Sequence, residues 1–215
     1  MSSIYKKHII PVQGWVREQQ YHFFKDFTQP FFNVHTQVDL TPLYQHCKAH
    51  GHSVFLGYLY ATLHSARATE NFLYRLEQGQ VVQYEAVDLS TTVLKNDHSI
   101  AFAHLPYQET LADFCAQSQQ ILAQVRESKA LFHGHQGNDL LHLTTLPWFT
   151  YKGVEHAFTI NPENPGIPKL AFGKLEKHQG TVTLPMSIGL HHALADGYHV
   201  HLFLEKLQQT IQQYS

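Results

Sequence analysis

The spacing of apolar residues changes period several times along the chain. Residues 31–40, FFNVHTQVDL, alternate, with Phe32, Val34 and Val38 among the apolar positions, and predict a strand. Thr41 followed by Pro42 reads as an N-cap and first helical residue for a helix over 42–50. His52 and Ser53 open a second helix over about 53–69, which is apolar on most sides. Residues 72–87 read as a hairpin that turns at Gln78-Gly79, and 89–95 and 99–105 as two further strands. Leu111, Phe114, Cys115, Ile121, Leu122 and Val125 share one helical face and predict a long helix over 108–128. Strand signals follow at 140–151, 156–160, 169–175 and 180–193, with a Pro-rich loop at 161–168 and a final helix over 197–213. Near the start, 18–26 read as a short helix or extended entry segment. Strands mixed with a few long helices predict an α/β (α+β two-layer) fold, a large mixed sheet with helices packed on one side.

The chain is 215 residues long, a length that suits one domain over 1–215, and 43% of it is hydrophobic. Charged residues make up 15%, so part of the surface is expected to be buried in an oligomer. The net charge is −2 and no basic stripe runs along the chain, which argues against nucleic acid as a partner. No apolar run approaches a membrane span or a secretory h-region, so a cytoplasmic protein without membrane contact is expected. Cys47 and Cys115 read as buried small hydrophobes. The 18 histidines lack metal-ligand spacing, so no metal is expected.

The segment SIGLHHALADGYH, Ser187 to His199, carries the chemistry. An apolar strand delivers His191 and His192 at its end, and Asp196-Gly197 turn the chain into a helix. A neutral imidazole, with an ordinary pKa near 6.5, can act there as a general base. Neighbouring strand residues point to opposite faces, so one histidine faces a cleft while the other packs. HHALADG resembles the HHxxxDG signature of the chloramphenicol acetyltransferases, shared more loosely by dihydrolipoyl acyltransferases and peptide-synthetase condensation domains. Trp15-Val16-Arg17, the hairpin region 72–94, Leu146-Pro147-Trp148, Pro168, Gly173-Lys174 and Pro185 also resemble that family, in its order.

The resemblance implies an acetyl-CoA-dependent O-acetyltransferase acting on a small hydroxyl acceptor such as chloramphenicol. It implies a homotrimer with active sites between subunits, acetyl-CoA as cosubstrate and no permanently bound cofactor. His192 would be the base, Asp196 and Arg17 an ion pair supporting it, and His191 a packed neighbour. Phe24 and Phe32 match positions of the acceptor pocket. Two positions depart from the family. Its oxyanion serine is Gly153 here, and its water-holding threonine is Ala171. Losing one oxyanion donor costs about 10²–10³-fold. Tyr151, which shares strand parity with Gly153, is the better candidate donor, and Thr150 the weaker one; an ordered water is a further option. A ligand-binding or regulatory homologue without efficient turnover is the alternative reading, and carrier-bound acyl transfer a third.

Overall fold

The computed structural model describes residues 3–157 and 164–215. Its elements run β1 (Lys7–Ile10), α1 (Glu18–Phe24), β2 (Phe31–Asp39), α2 (Thr41–Ala49), α3 (Val54–Arg67), β3 (Tyr74–Glu77), β4 (Gln80–Tyr84), β5 (Asp88–Leu94), β6 (Ile100–Leu105), α4 (Leu111–Glu127), β7 (Phe132–His133), β8 (Leu140–Thr145), β9 (Lys169–Phe172), β10 (Glu176–His178), β11 (Thr181–His191) and α5 (Gly197–Gln212). Among the described residues, eight strands form one mixed sheet and β1, β4 and β3 a second, three-stranded one. In the large sheet β11 is the spine. It pairs antiparallel with β2 along one side and with β10 and then β9 along the other. The β8–β9 and β5–β8 pairs are parallel, and β5–β6 is antiparallel. This is the mixed sheet with helices on one side that the sequence predicts.

Strand alternation decides which residues meet the helices. Val38, Met186, Ile188, Leu190, Leu170, Phe172, Leu141, Leu143, Leu89, Val93, Ala101, Ala103 and Leu105 point to one side. They share a single core with Leu43, Leu59, Leu63, Phe114, Val125, Val200, Phe203 and Leu207 of α2 to α5. Cys47 and Cys115 lie in this core as free thiols, and a Cβ added at Gly57 would come within 2.7 Å of the Cys47 sulfur. Side-chain caps set three helix starts: Ser53 accepts from Leu56 N, Thr110 from Asp113 N and Asp196 from Tyr198 N. At the β3–β4 turn Gln78 and Gly79 both have positive φ, the mirror-image turn that matches hairpin twist.

Several boundaries differ from the sequence reading. Thr41 is the first helical residue of α2 and Leu40 its cap. The Thr41 hydroxyl instead donates to Asp39 Oδ1 and accepts from Val182 N, tying the helix start to the sheet. The strand expected over 140–151 stops at Thr145, just before Leu146-Pro147, where proline cannot donate to a ladder. Residues 146–157 are irregular, so the parity argument for Thr150 and Tyr151 does not apply. His156 and Ala157 form no strand, and 158–160 lie outside the described residues. The strand expected over 169–175 ends at Phe172.

Candidate active site

His192 is the first residue beyond β11. Its amide donates to Pro30 O at 2.8 Å, and its carbonyl accepts Arg17 Nη2 at 3.0 Å. The ring stacks flat on Phe24, with centroids 3.9 Å apart and planes 3° from parallel. Phe32 closes a second side at 4.5 Å. Ring Nδ1 lies 3.1 Å from Ala195 O. A carbonyl oxygen can only accept, so Nδ1 carries the ring proton and Nε2 keeps a bare lone pair. Phe23 and Phe27 extend the aromatic cluster around Phe24 and are themselves exposed.

The turn behind His192 is built from charge and caps. Arg17, 4% exposed, donates from Nη1 to Asp196 Oδ2 at 2.7 Å. Asp196 also caps α5, and His199 completes a capping box by accepting Asp196 N–H. Burial alone would raise the Asp196 carboxyl; the Arg17 hydrogen bond, His199 and the Tyr198 amide outweigh it and hold the group below its ordinary range. Burial lowers the pKa of His199, against the pull of Asp196, and the ring is a half-buried part of this network. His191 is buried beside Phe31, and its Nδ1 accepts Ala193 N–H at 3.3 Å. Burial, then the neighbouring His192, lower its pKa to about 4, so it stays neutral.

The helix-free face of the sheet is polar. Its registers bring Ser187, Ala171, Thr144 and Thr92 into one row and Gly189, Lys169, His142, Ser90 and His104 into another. A cavity of about 440 Å³ lies over this face, between Phe102, Phe132, His104, His133, His142 and their neighbours. His192 is not among its lining residues. Burial, and then Lys169 and Arg75, lower His142 to about 4. Fully buried Arg75 donates to the carbonyls of Phe72, Tyr74, Asn138 and Leu140, which anchors the cavity wall. Asp88 accepts from Tyr5, Tyr107 N and His104 beside it. Sequence reasoning singled out neither Arg75 nor Asp88; burial of a charge has no local pattern to betray it. Among the described residues no group of three or more His, Cys, Asp or Glu side chains is arranged to hold a metal ion.

The sequence profile of the chloramphenicol acetyltransferase family matches residues 6–208. The chain belongs to the chloramphenicol acetyltransferase family. Relatives include chloramphenicol acetyltransferase 3 of Escherichia coli, 21% identical over 92% of this chain and 93% of the relative. The chloramphenicol acetyltransferase of Proteus mirabilis is 22% identical over 94% and 93%. A solved chloramphenicol acetyltransferase superposes with a TM-score of 0.86 at 25% identity, covering 96% of this chain and all of the other. A dihydrolipoamide acetyltransferase of Azotobacter vinelandii shares the fold, with a TM-score of 0.66 at 15% identity over 98% and 91%. The family is one of acyltransferases, and no helix of the described residues is long and apolar enough to cross a membrane.

Gly153, which the resemblance matches to the family's oxyanion serine, lies far from His192 within one chain. Val154 N donates to Ser187 Oγ at 3.2 Å, which seats this loop over the middle of β11. From Ser187 to His192 the strand runs about 16 Å at ~3.3 Å per residue. The Tyr151 hydroxyl donates to Ala171 O at 2.7 Å, so its proton is already committed. Thr150 lines a separate shallow groove with Trp148, Phe149 and Lys174.

Proposed function

We propose that this protein is an acetyl-CoA-dependent O-acetyltransferase that acetylates a small hydroxylated acceptor, chloramphenicol or a similar alcohol, with His192 as general base. The observation that carries this reading is the hydrogen bonding of the His192 ring. With Nδ1 held by Ala195 O, Nε2 is the proton acceptor, and Phe24 and Phe32 fix the ring plane. The acceptor hydroxyl gives its proton to Nε2 as its oxygen attacks the thioester carbonyl. A C–O bond forms and the carbonyl electron pair moves onto oxygen. Collapse of the adduct breaks the C–S bond, and the CoA thiolate takes the proton back from the imidazolium. Arg17 and Asp196 hold the turn that carries the base, and His191 packs behind it.

The active unit is a homotrimer, with each site between two copies. One chain sets His192 and the Gly153 loop about 16 Å apart along β11, whereas both must reach one reacting carbon. A second copy that lays its open sheet face against the His192 end brings the two together. Exposed Phe23 and Phe27 beside the base suit such a seam. The cavity then offers the acceptor its room. His133 Nε2 and His156 Nε2 are buried there without partners, which suits an acceptor with several hydroxyl groups.

The test is release of free CoA from acetyl-CoA over a panel of hydroxylated acceptors. His192→Ala is expected to lower kcat by about 10²–10⁴-fold. Wild-type turnover in that variant would refute the base. The competing reading, a ligand-binding homologue without turnover, rests on Gly153, which brings no hydroxyl; it requires acetyl-CoA binding with no CoA release from any acceptor.

A further inference from the structure

Two histidines of the open-face cavity are each backed by a buried carboxylate. His104 Nε2 lies 2.8 Å from Asp88 Oδ2, and His135 Nε2 lies 2.5 Å from Asp139 Oδ1. Both rings line the cavity and stand edge to face, with centroids 5.7 Å apart. Their side chains are 11% and 12% exposed, and those of their carboxylate partners 3% and 0%.

Other donors hold the carboxylates in turn. Asp88 accepts the Tyr5 hydroxyl at 2.7 Å and Tyr107 N at 2.9 Å. Asp139 accepts Ile4 N at 2.6 Å and Tyr5 N at 3.1 Å, so the N-terminal segment fastens both pairs. Burial would raise the two carboxyls; the bonds from the histidines and from these donors outweigh it and hold both below their ordinary range. A carboxylate only accepts, so each ring places its Nε2 proton there. In the neutral ring Nδ1 is then a bare lone pair. Among the described residues neither Nδ1 has a hydrogen-bond partner, and neither is one of the buried polar atoms left without one, so both are open to a ligand. Gly134 helps: a Cβ there would stand 3.2 Å from His104 Nδ1. The same cavity has an apolar wall. Phe102 reaches the open face two residues before His104 and stacks on Phe132, with centroids 5.2 Å apart and planes 16° from parallel. A flat apolar wall beside two fixed acceptors fits a molecule with a C–H face and hydroxyl groups around its edge. A sugar ring has that form.

We propose that His104 and His135 are acceptor-binding residues that select a sugar-like polyol: their Nδ1 atoms, oriented by Asp88 and Asp139, accept hydrogen bonds from acceptor hydroxyls other than the one that is acetylated. The proposal rests on the acetyltransferase reading above, in which this cavity holds the acceptor. Asp88, Asp139 and Tyr5 are positioning residues. No proton is transferred at either ring; each hydroxyl donates and keeps its proton. An alcohol with a single hydroxyl turns it to the base and leaves both nearly buried Nδ1 atoms unpaired, which costs affinity.

Two measurements decide this, with methyl glucoside as the polyol and cyclohexanol as a ring with one hydroxyl. Nitrogen-15 NMR of the histidine-labelled protein needs no turnover. Both rings are expected to carry the proton on Nε2, and both Nδ1 signals to move on titration with methyl glucoside; Nδ1–H tautomers, or unmoved signals, would overturn the assignment. In steady-state CoA release the wild type should prefer methyl glucoside by kcat/KM. His104→Gln and His135→Gln keep an N–H for the carboxylate and drop the Nδ1 acceptor. Each should lower that preference by about three- to tenfold, through acceptor KM more than kcat. A wild type that prefers cyclohexanol, or variants that keep the wild-type preference, would sink the selection and leave the acetyltransferase reading standing. Absence of CoA release with every acceptor would sink that reading, and the titration would still decide whether the two rings bind a polyol.

Discussion

The two faces of the large sheet are made by alternate residues of the same strands, yet they do different work. On the covered face Ile188 is fully buried among the residues of α2 to α5. On the open face its neighbours Ser187 and Gly189 meet His35 and Asn33 side chains. One face repeats a single requirement, apolar and the right size, at every second position. The other carries a set of particular pairings, each of which depends on a partner from a different strand. Stability is concentrated on the first, and the candidate chemistry on the second and at the strand end.

That division can be broken by substitution. Ile188→Ala is expected to have the largest effect, a loss of about 2–5 kcal/mol in urea unfolding, because it empties a packed position between sheet and helices. A loss below about 1 kcal/mol would show that the covered face is not the main store of stability. Acid should act through the buried rings at the other extreme. His191 and His142 are held near a pKa of about 4, below their ordinary value. Above pH ~6.5 both are neutral folded or unfolded. As pH falls towards 4 the unfolded chain takes up protons first, so stability is lost in that window, by about 2 kcal/mol per ring at pH 5. Urea midpoints at pH 7 and 5 check this, and His142→Leu should flatten the slope.

Arg17→Met leaves the Asp196 carboxylate and the His192 carbonyl without their donor. Because Asp196 is 35% exposed, the expected cost is about 2–3 kcal/mol, below that of a fully buried pair. Activity should fall further than stability if the turn positions the base, and equal losses would make the pair merely structural. Ser187→Ala is the smallest perturbation, about 1 kcal/mol or less in stability, one residue from Ile188.

Much of this was legible in the sequence, and the reasons are local. Strand β2 and the long β11 announce themselves by alternation, and α3, α4 and α5 start at residues whose own side chains cap them. The strand-end pair His191 and His192, with Asp196 and Arg17, could be named because motif and spacing survive in the chain. Three short strands, Lys7–Ile10, Phe132–His133 and Glu176–His178, could not. With two to four residues each they owe their conformation to a partner strand, which sequence does not show. The run LHLTTLPWFTY keeps a strand-like rhythm past its real end, and only the missing N–H of Pro147 betrays the break. His35 was hidden for a different reason. Within its own strand it is simply a polar outward residue; its contacts are with Gly153 and Ser187, more than 100 positions away.

The two cysteines of the core carry a practical consequence. Burial pushes the Cys47 thiol up to about 11 and raises Cys115 as well. At pH 8 the reactive thiolate of Cys47 is then about one part in a thousand, and it is sheltered by packed neighbours. A colorimetric reagent such as DTNB should leave the native protein unstained, so yellow colour in the cuvette reports the coenzyme alone, and slow colour without acceptor becomes a gauge of unfolding.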